Sequence, residues 1–203
     1  MKPKFLTSFA TFGRRGAFVG LALAGCLVGQ FAQADVIVDT TDVDHPYSLS
    51  VIRRVDPKPK HWVYQAVAIA FHTPASDYTL DSVKLHTFGP NPTGTIAVDI
   101  LADSGAGSPG ARVTTITNTG ALTGTIQFNS TMHPRLLAGH TYWLAARIPQ
   151  PNTATVEWML AYDTLPPGAY AVMAGDKKGN PSGLWGVGQN HTTQFQINGT
   201  LAP

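Results

Sequence analysis

Polar and apolar residues alternate along most of this chain in short segments, a pattern typical of β-strands with one wet face. The clearest segments are 83–88, 96–101 and 126–129. In the second of these, Ile96, Val98 and Ile100 are predicted to face one way, opposite Ala97, Asp99 and Leu101. No window of the sequence has apolar residues at helical spacing. The pattern therefore predicts an all-β fold, specifically an antiparallel β-sandwich of jelly-roll type with about eight strands.

Turn-forming residues separate the alternating segments. Gly, Pro, Asn, Asp and Ser cluster at 89–94, 103–110 and 176–183. These residues favour tight turns because glycine reaches positive φ and the short polar side chains bond to nearby backbone. We predict a loop at each of the three positions.

The first 34 residues have the order of a bacterial secretory signal. Four basic residues precede an apolar run from Ala17 to Val28, and a small-residue triplet, 32–34, follows it. Cleavage after Ala34 would release a chain that begins at Asp35. The apolar run is shorter than the ~20 residues that a membrane-spanning helix needs, so no transmembrane segment is expected in the mature chain.

A second processing site lies within the same run. The sequence Leu23-Ala24-Gly25-Cys26 has the form of a lipoprotein box, in which the thiol of Cys26 is lipidated. Soluble release after Ala34 is favoured, since the residues after Cys26 stay apolar. Both alternatives place the protein outside the cytoplasm: extracellular, at the cell surface or in the periplasm.

The remaining chain is predicted to contain one domain. Residues 35–61 are interpreted as an irregular lead-in with a single edge strand at Val36-Ile37-Val38. Residues 62–200 form the predicted β-sandwich domain, and 201–203 form a short tail. No internal repeat is visible.

Charge and cysteine content narrow the function classes. The signal contains four of the fourteen basic residues and none of the twelve acidic ones, so the mature chain is slightly acidic. Nucleic-acid binding, which needs clustered Lys and Arg, is not expected. The mature chain has no cysteine, so disulfides do not stabilise it.

The order of several short motifs resembles a known family. The motifs are 62–71, the segment Tyr78-Thr79-Leu80-Asp81-Ser82-Val83-Lys84-Leu85, the segment Val98-Asp99-Ile100-Leu101-Ala102-Asp103, Ser108-Pro109-Gly110, 137–144 and 194–200. Together they are similar to the choice-of-anchor domains of secreted bacterial proteins, nearest to type R. The resemblance implies an exported β-sandwich held at the cell surface, often by a C-terminal sorting tail that this sequence lacks. It implies no catalytic residues.

Catalytic chemistry has little support in the sequence. A hydrolase requires an activated nucleophile or a pair of carboxylates. Beyond the signal there is one glutamate, Glu157, predicted to face solvent opposite Val156 and Trp158. The segment 106–110 around Ser108 departs from the nucleophile-elbow pattern and is interpreted as a turn. We therefore predict no catalytic residues and no enzymatic activity.

Calcium is the preferred metal hypothesis, although no cofactor is required. Asp99 and Asp103 share strand parity beside a glycine-rich loop, and both are expected to face solvent there. The simpler interpretation is that Asp103 caps its own turn. The seven histidines are scattered, but His72, His86 and His140 remain candidates for convergence across strands.

The aromatic residues give the remaining functional signal. Trp143 and Trp158 lie in apolar strands and are predicted to be core residues, whereas Trp185 lies in a glycine-rich segment that could present it outward. Trp185 is the candidate ligand-binding residue, for stacking on a sugar. The expected function is a non-catalytic surface or matrix domain that binds an extracellular polysaccharide or a matrix protein. The alternative is a secreted hydrolase whose metal or acid pair is not visible in the linear sequence.

Overall fold

The structure is a computed structural model that describes residues 34–41, 49–55, 63–91, 93–161, 170–174, 183–188 and 192–203. All regular secondary structure within these residues is β-strand, which confirms the predicted all-β class. The strands are β1 Asp35–Asp39, β2 Leu49–Val55, β3 Val63–His72, β4 Tyr78–Phe88, β5 Thr93–Asp103, β6 Pro109–Ala121, β7 Gly124–Asn129, β8 Arg135–Leu136, β9 Thr141–Arg147, β10 Ala154–Ala161, β11 Tyr170–Ala174, β12 Gly186–Gly188, β13 Thr192–Thr193 and β14 Phe195–Leu201. Within this part of the chain no helix is long and apolar enough to cross a membrane.

The strands form one large antiparallel sheet. Its main path runs β1-β14-β4-β10-β2-β3-β9-β5-β6. The remaining strands attach at its sides: β7 and β8 pair with β4, β11 pairs with β3, β12 with β11, and β13 with β10. Only two residue pairs, Glu157 with Phe88 and Trp158 with Thr87, join β10 to β4.

The predicted alternation determines which side chains enter the core. Ile96, Val98 and Ile100 of β5 belong to one extensive apolar cluster that also takes residues from strands throughout the path. Trp158 of β10 is fully buried in the same cluster, as predicted. Burial of such side chains is the main favourable contribution to folding.

The described residues within 35–61 differ in part from their prediction. β1 is an edge strand, as expected, and pairs with β14. The interpretation of residues 49–55 as irregular was wrong, because they form β2, which lies inside the sheet between β10 and β3. The sequence hid this strand because Ile52, which is fully buried, is followed by two consecutive arginines that break the alternation.

Predictions about the first 33 residues, including lipidation of Cys26, fall outside the described residues. Ala34 is exposed and directly precedes β1.

The predicted turn at 103–110 is present and connects β5 to β6, with Gly105 at φ 82° and Gly107 at φ 68°. These φ values favour glycine because a Cβ would clash with the backbone.

A second, smaller apolar cluster lies on the opposite face of the same strands. It consists of Ala68, Leu101, Trp143, Ala145 and Ala171. Trp143 is fully buried there, as its core prediction required. Strand β11, which contributes Ala171, pairs with β3 and lies at one side of this face. The outer face of β3, β9 and β5 is therefore partly apolar.

Candidate binding groove

A groove of about 630 Å³ lies on this outer face. Its lining comes from β3, β5, β6, β9 and β11, from the segment before β12, and from Gln150. The alternation of β5 explains the location: Val98 and Ile100 turn inward, so Asp99 and Leu101 line the groove. Its volume is within the range of small-molecule sites.

Asp99 is the electrostatic centre of the groove, and it is almost completely buried, with 3 % exposed. Arg147 donates to both of its carboxylate oxygens, from Nε to Oδ2 at 2.7 Å and from a terminal amine to Oδ1 at 3.2 Å. The hydroxyl of Thr115 on β6 also donates to Oδ1. This bidentate arrangement offsets the cost of removing the carboxylate from water.

Arg147 remains charged in spite of its partial burial. Burial alone would lower its pKa, but the hydrogen bonds and the negative charge of Asp99, with a smaller contribution from Tyr64, raise the pKa above its usual value. Arg147 and Asp99 thus form a permanent ion pair at the base of the groove.

A second arginine lies beside this pair. Nε of Arg112, on β6, is 3.5 Å from Oδ1 of Asp99, and 58 % of the Arg112 side chain is exposed. This contact is much looser than that of Arg147. More than half of the Arg112 side chain therefore remains accessible to solvent at the groove.

Aromatic and apolar groups complete the lining. Trp185 is half-buried, packs against the smaller apolar cluster and lines the groove. The buried residues Tyr64, Ala66, Leu101 and Ala145 also line it. Among the described lining residues, Trp185 is the aromatic side chain that a ligand can reach. The structure thus brings this predicted residue into the groove that contains Asp99.

The two carboxylates of the calcium hypothesis have different surroundings. Asp99 is buried beneath two arginines, so the expectation that it faces solvent was wrong. Asp103 accepts hydrogen bonds from the indole of Trp143 at 2.8 Å and from the backbone N–H of Gly105 at 2.8 Å. The shared parity itself holds, because Leu101 between them belongs to the same outer cluster as Trp143, which contacts Asp103; the two carboxylates differ in their partners.

Asp103 behaves as a turn-capping group. The hydrogen bond from Trp143 lowers its pKa most, burial acts in the opposite direction, and bonds from Gly105 and Gly107 lower it further. No set of three or more His, Cys, Asp or Glu side chains within the described ranges is arranged to hold a metal ion. Calcium binding by Asp99 and Asp103 stays a prediction.

The other candidate residues lie away from the groove. Glu157 is half-buried on the face of β10 opposite Val156 and Trp158. His72 contacts Thr141 through Nδ1 at 3.3 Å, and His140 contacts the carbonyl of Ala138, whereas His86 lies in the middle of β4. The convergence of these three histidines is therefore not observed.

Sequence reasoning missed both arginines and Tyr64. A signal for Arg147 was present, because it ends an apolar strand whose neighbour, β5, has Asp99 in the middle of an apolar run. Opposite charges in two such strands favour a buried pair. Arg112 had no comparable signal, since it lies in a polar segment next to a turn.

Comparisons with known proteins add no assignment. No protein-family model matches the chain, and no curated protein was found to match it.

Proposed function

We propose that this protein is an exported, non-catalytic domain that binds a glycan in the groove beside Trp185. The observation that carries the proposal is the juxtaposition of an accessible tryptophan with a buried ion pair in one open groove. A sugar ring presents both an apolar C–H face and hydroxyl groups. The indole of Trp185 suits the first, and the exposed side chain of Arg112 offers N–H donors for the second.

The role of Asp99 supports binding over hydrolysis. Both of its oxygens accept hydrogen bonds from Arg147, and Oδ1 also accepts one from Thr115. A carboxylate whose two oxygens are held in this way orients an arginine inside the protein.

Export and surface location belong to the same proposal. They rest on the charged, apolar and small-residue order of residues 1–34 and on the resemblance to choice-of-anchor domains. A lipid anchor at Cys26 is the alternative to release after Ala34. An extracellular polysaccharide is the partner that fits such a location.

For the fold, we propose that the sheet folds over as a jelly-roll sandwich. Two features support this. Strands from both halves of the path, such as β14 and β5, direct side chains into one core. In addition, Asn118 on β6, the last strand of the path, donates to the carbonyl of Gln127 on β7 at 2.7 Å, and β7 pairs with β4 in the other half.

A glycan array tests the function. We expect the purified protein to bind at least one polysaccharide class, and Trp185→Ala to weaken that binding about tenfold, equivalent to about 1.4 kcal/mol. Phe88→Ala is the matched control, because Phe88 is an exposed aromatic residue that does not line the groove.

Two outcomes would contradict the proposal. Binding that is unchanged by Trp185→Ala would remove the groove as the site. Absence of any glycan binding would leave a matrix protein as the partner. The array is run with calcium and with a chelator, so that calcium-dependent binding would support the calcium hypothesis independently.

A further inference from the structure

The groove has an unbalanced charge. Among its described lining residues, the charged side chains are Asp99, Arg112 and Arg147. One carboxylate faces two guanidinium groups, so this part of the groove carries one net positive charge. A ligand made only of neutral sugars would leave that charge without a partner.

The two arginines divide into a structural and an accessible group. Arg147 contacts both oxygens of Asp99, and 22 % of its side chain is exposed. Its charge is therefore matched inside the protein. Removing it from Asp99 would leave a buried carboxylate unpaired, which is strongly unfavourable.

Arg112 is the accessible group. Its Nε lies 3.5 Å from a carboxylate oxygen that already accepts bonds from Arg147 and Thr115. Because the charge of Asp99 is already matched, Asp99 has little capacity left to neutralise Arg112. The planar guanidinium offers paired N–H donors that match the geometry of a carboxylate.

We infer that the glycan bound in this groove contains uronate sugars, and that Arg112 pairs with a uronate carboxylate while Trp185 contacts a sugar face. This inference rests on the proposed function, since it names the class of glycan for the same site. Arg112 is thus the residue that distinguishes acidic from neutral sugars, and the Asp99–Arg147 pair is the rigid base of the site.

Matched ligands isolate the carboxylate. The probes are oligogalacturonate, oligomannuronate and a glucuronate-containing oligosaccharide, each compared with its carboxyl-reduced counterpart. We expect at least one uronate probe to bind roughly tenfold or more tightly than its reduced form, as expected for a charge-assisted hydrogen bond. Raising the salt concentration should weaken the uronate complex selectively, because salt screens exposed charges.

Protein variants assign the effect to Arg112. The quantity compared is the affinity for a uronate probe divided by the affinity for its carboxyl-reduced form. Arg112→Gln should bring this ratio close to one. Arg112→Lys keeps the charge but loses the paired N–H donors of the guanidinium, so it should give an intermediate ratio. Arg135→Gln is the matched control, because the Arg135 side chain is 56 % exposed, is also paired with an aspartate, and lies outside the groove lining. Thermal unfolding confirms that each variant is folded.

The outcomes separate this inference from the proposed function. Glycan binding that depends on Trp185 but shows no preference for uronate would overturn the inference and leave the function intact. A uronate preference that survives Arg112→Gln would overturn the assignment of Arg112. If a sulfated neutral glycan bound more tightly than any uronate, the inference of a uronate ligand would be wrong, and a sulfate ester would be the group that Arg112 recognises. Failure to bind any glycan would remove the function and the inference together.

Discussion

The two faces of β5 contrast sharply although they are built from consecutive residues. Val98 and Ile100 are fully buried in the main core, and Asp99 between them is also buried, but against two arginines. The inner face is stabilised by apolar burial, which needs no specific partner. On the outer face, burial of Asp99 is tolerated only because its charge has a partner. Substituting an equally buried residue should therefore change the stability of the protein for different reasons on the two faces of β5.

The largest expected effect is on the inner face. Trp158→Ala should lower the free energy of unfolding by about 3–5 kcal/mol, because it leaves a cavity in the core and removes the indole hydrogen bond to the carbonyl of Gln194. Denaturant titration measures the change. The comparison variant is Trp185→Ala, where we expect a loss of about 1 kcal/mol, since Trp185 is only half-buried. Equal losses would contradict the distinction between core and groove.

The next effect tests the outer face. Arg147→Met should destabilise the protein by about 3 kcal/mol, because Asp99 would remain buried without its main partner. Adding Asp99→Asn to this variant should recover part of the loss, since the unpaired charge disappears. Arg135→Met, which breaks the exposed pair with Asp77, should have little effect. If the double variant were no more stable than Arg147→Met, charge burial would not be the cause.

The smallest effect concerns the end of β5 and depends on pH. The pKa of Asp103 is lowered in the folded protein, so its stabilising contribution is present above the unfolded pKa of about 3.9 and is lost as the pH falls through the folded value. At pH 7, Asp103→Asn should cost about 1 kcal/mol through weaker bonds to Trp143 and Gly105. Unfolding measured from pH 7 to pH 2 should show the two proteins converging below pH 4. A constant difference would exclude the ionised carboxylate as the cause.

The sequence predicted the structure correctly where the alternation of apolar and polar residues alone decides which side chains are buried. Alternation predicted the inward residues of β5 and the core position of Trp158, because burial of alternating apolar residues is a local property of a strand. It failed at β2, where Ile52 is buried although two consecutive arginines after it interrupt the alternation. Pairing with β3 and β10 made this segment a strand, and such pairing depends on residues far away in the chain.

The groove was less accessible to sequence reasoning. Trp185 was identified because glycines surround it, but its neighbours in the groove come from five strands. The parity argument correctly placed Asp99 and Asp103 on one face of β5, but it did not reveal that each carboxylate has its own partner on the neighbouring strand β9. A site formed across strands depends on register, and register is set by the whole sheet.

The pairing of β1 with β14 has a consequence for tethering. Asp35 lies opposite Gly199, so the entry and exit of the folded unit are neighbours at one edge of the sheet. The groove is built on β3, β5, β6, β9 and β11, and none of these pairs with β1 or β14. A link to a surface through either end would therefore attach the folded domain at the same edge of the sheet. The groove would have the same orientation relative to that surface in both cases. For the same reason, a circular permutation that joins the two ends by a short linker should preserve the fold.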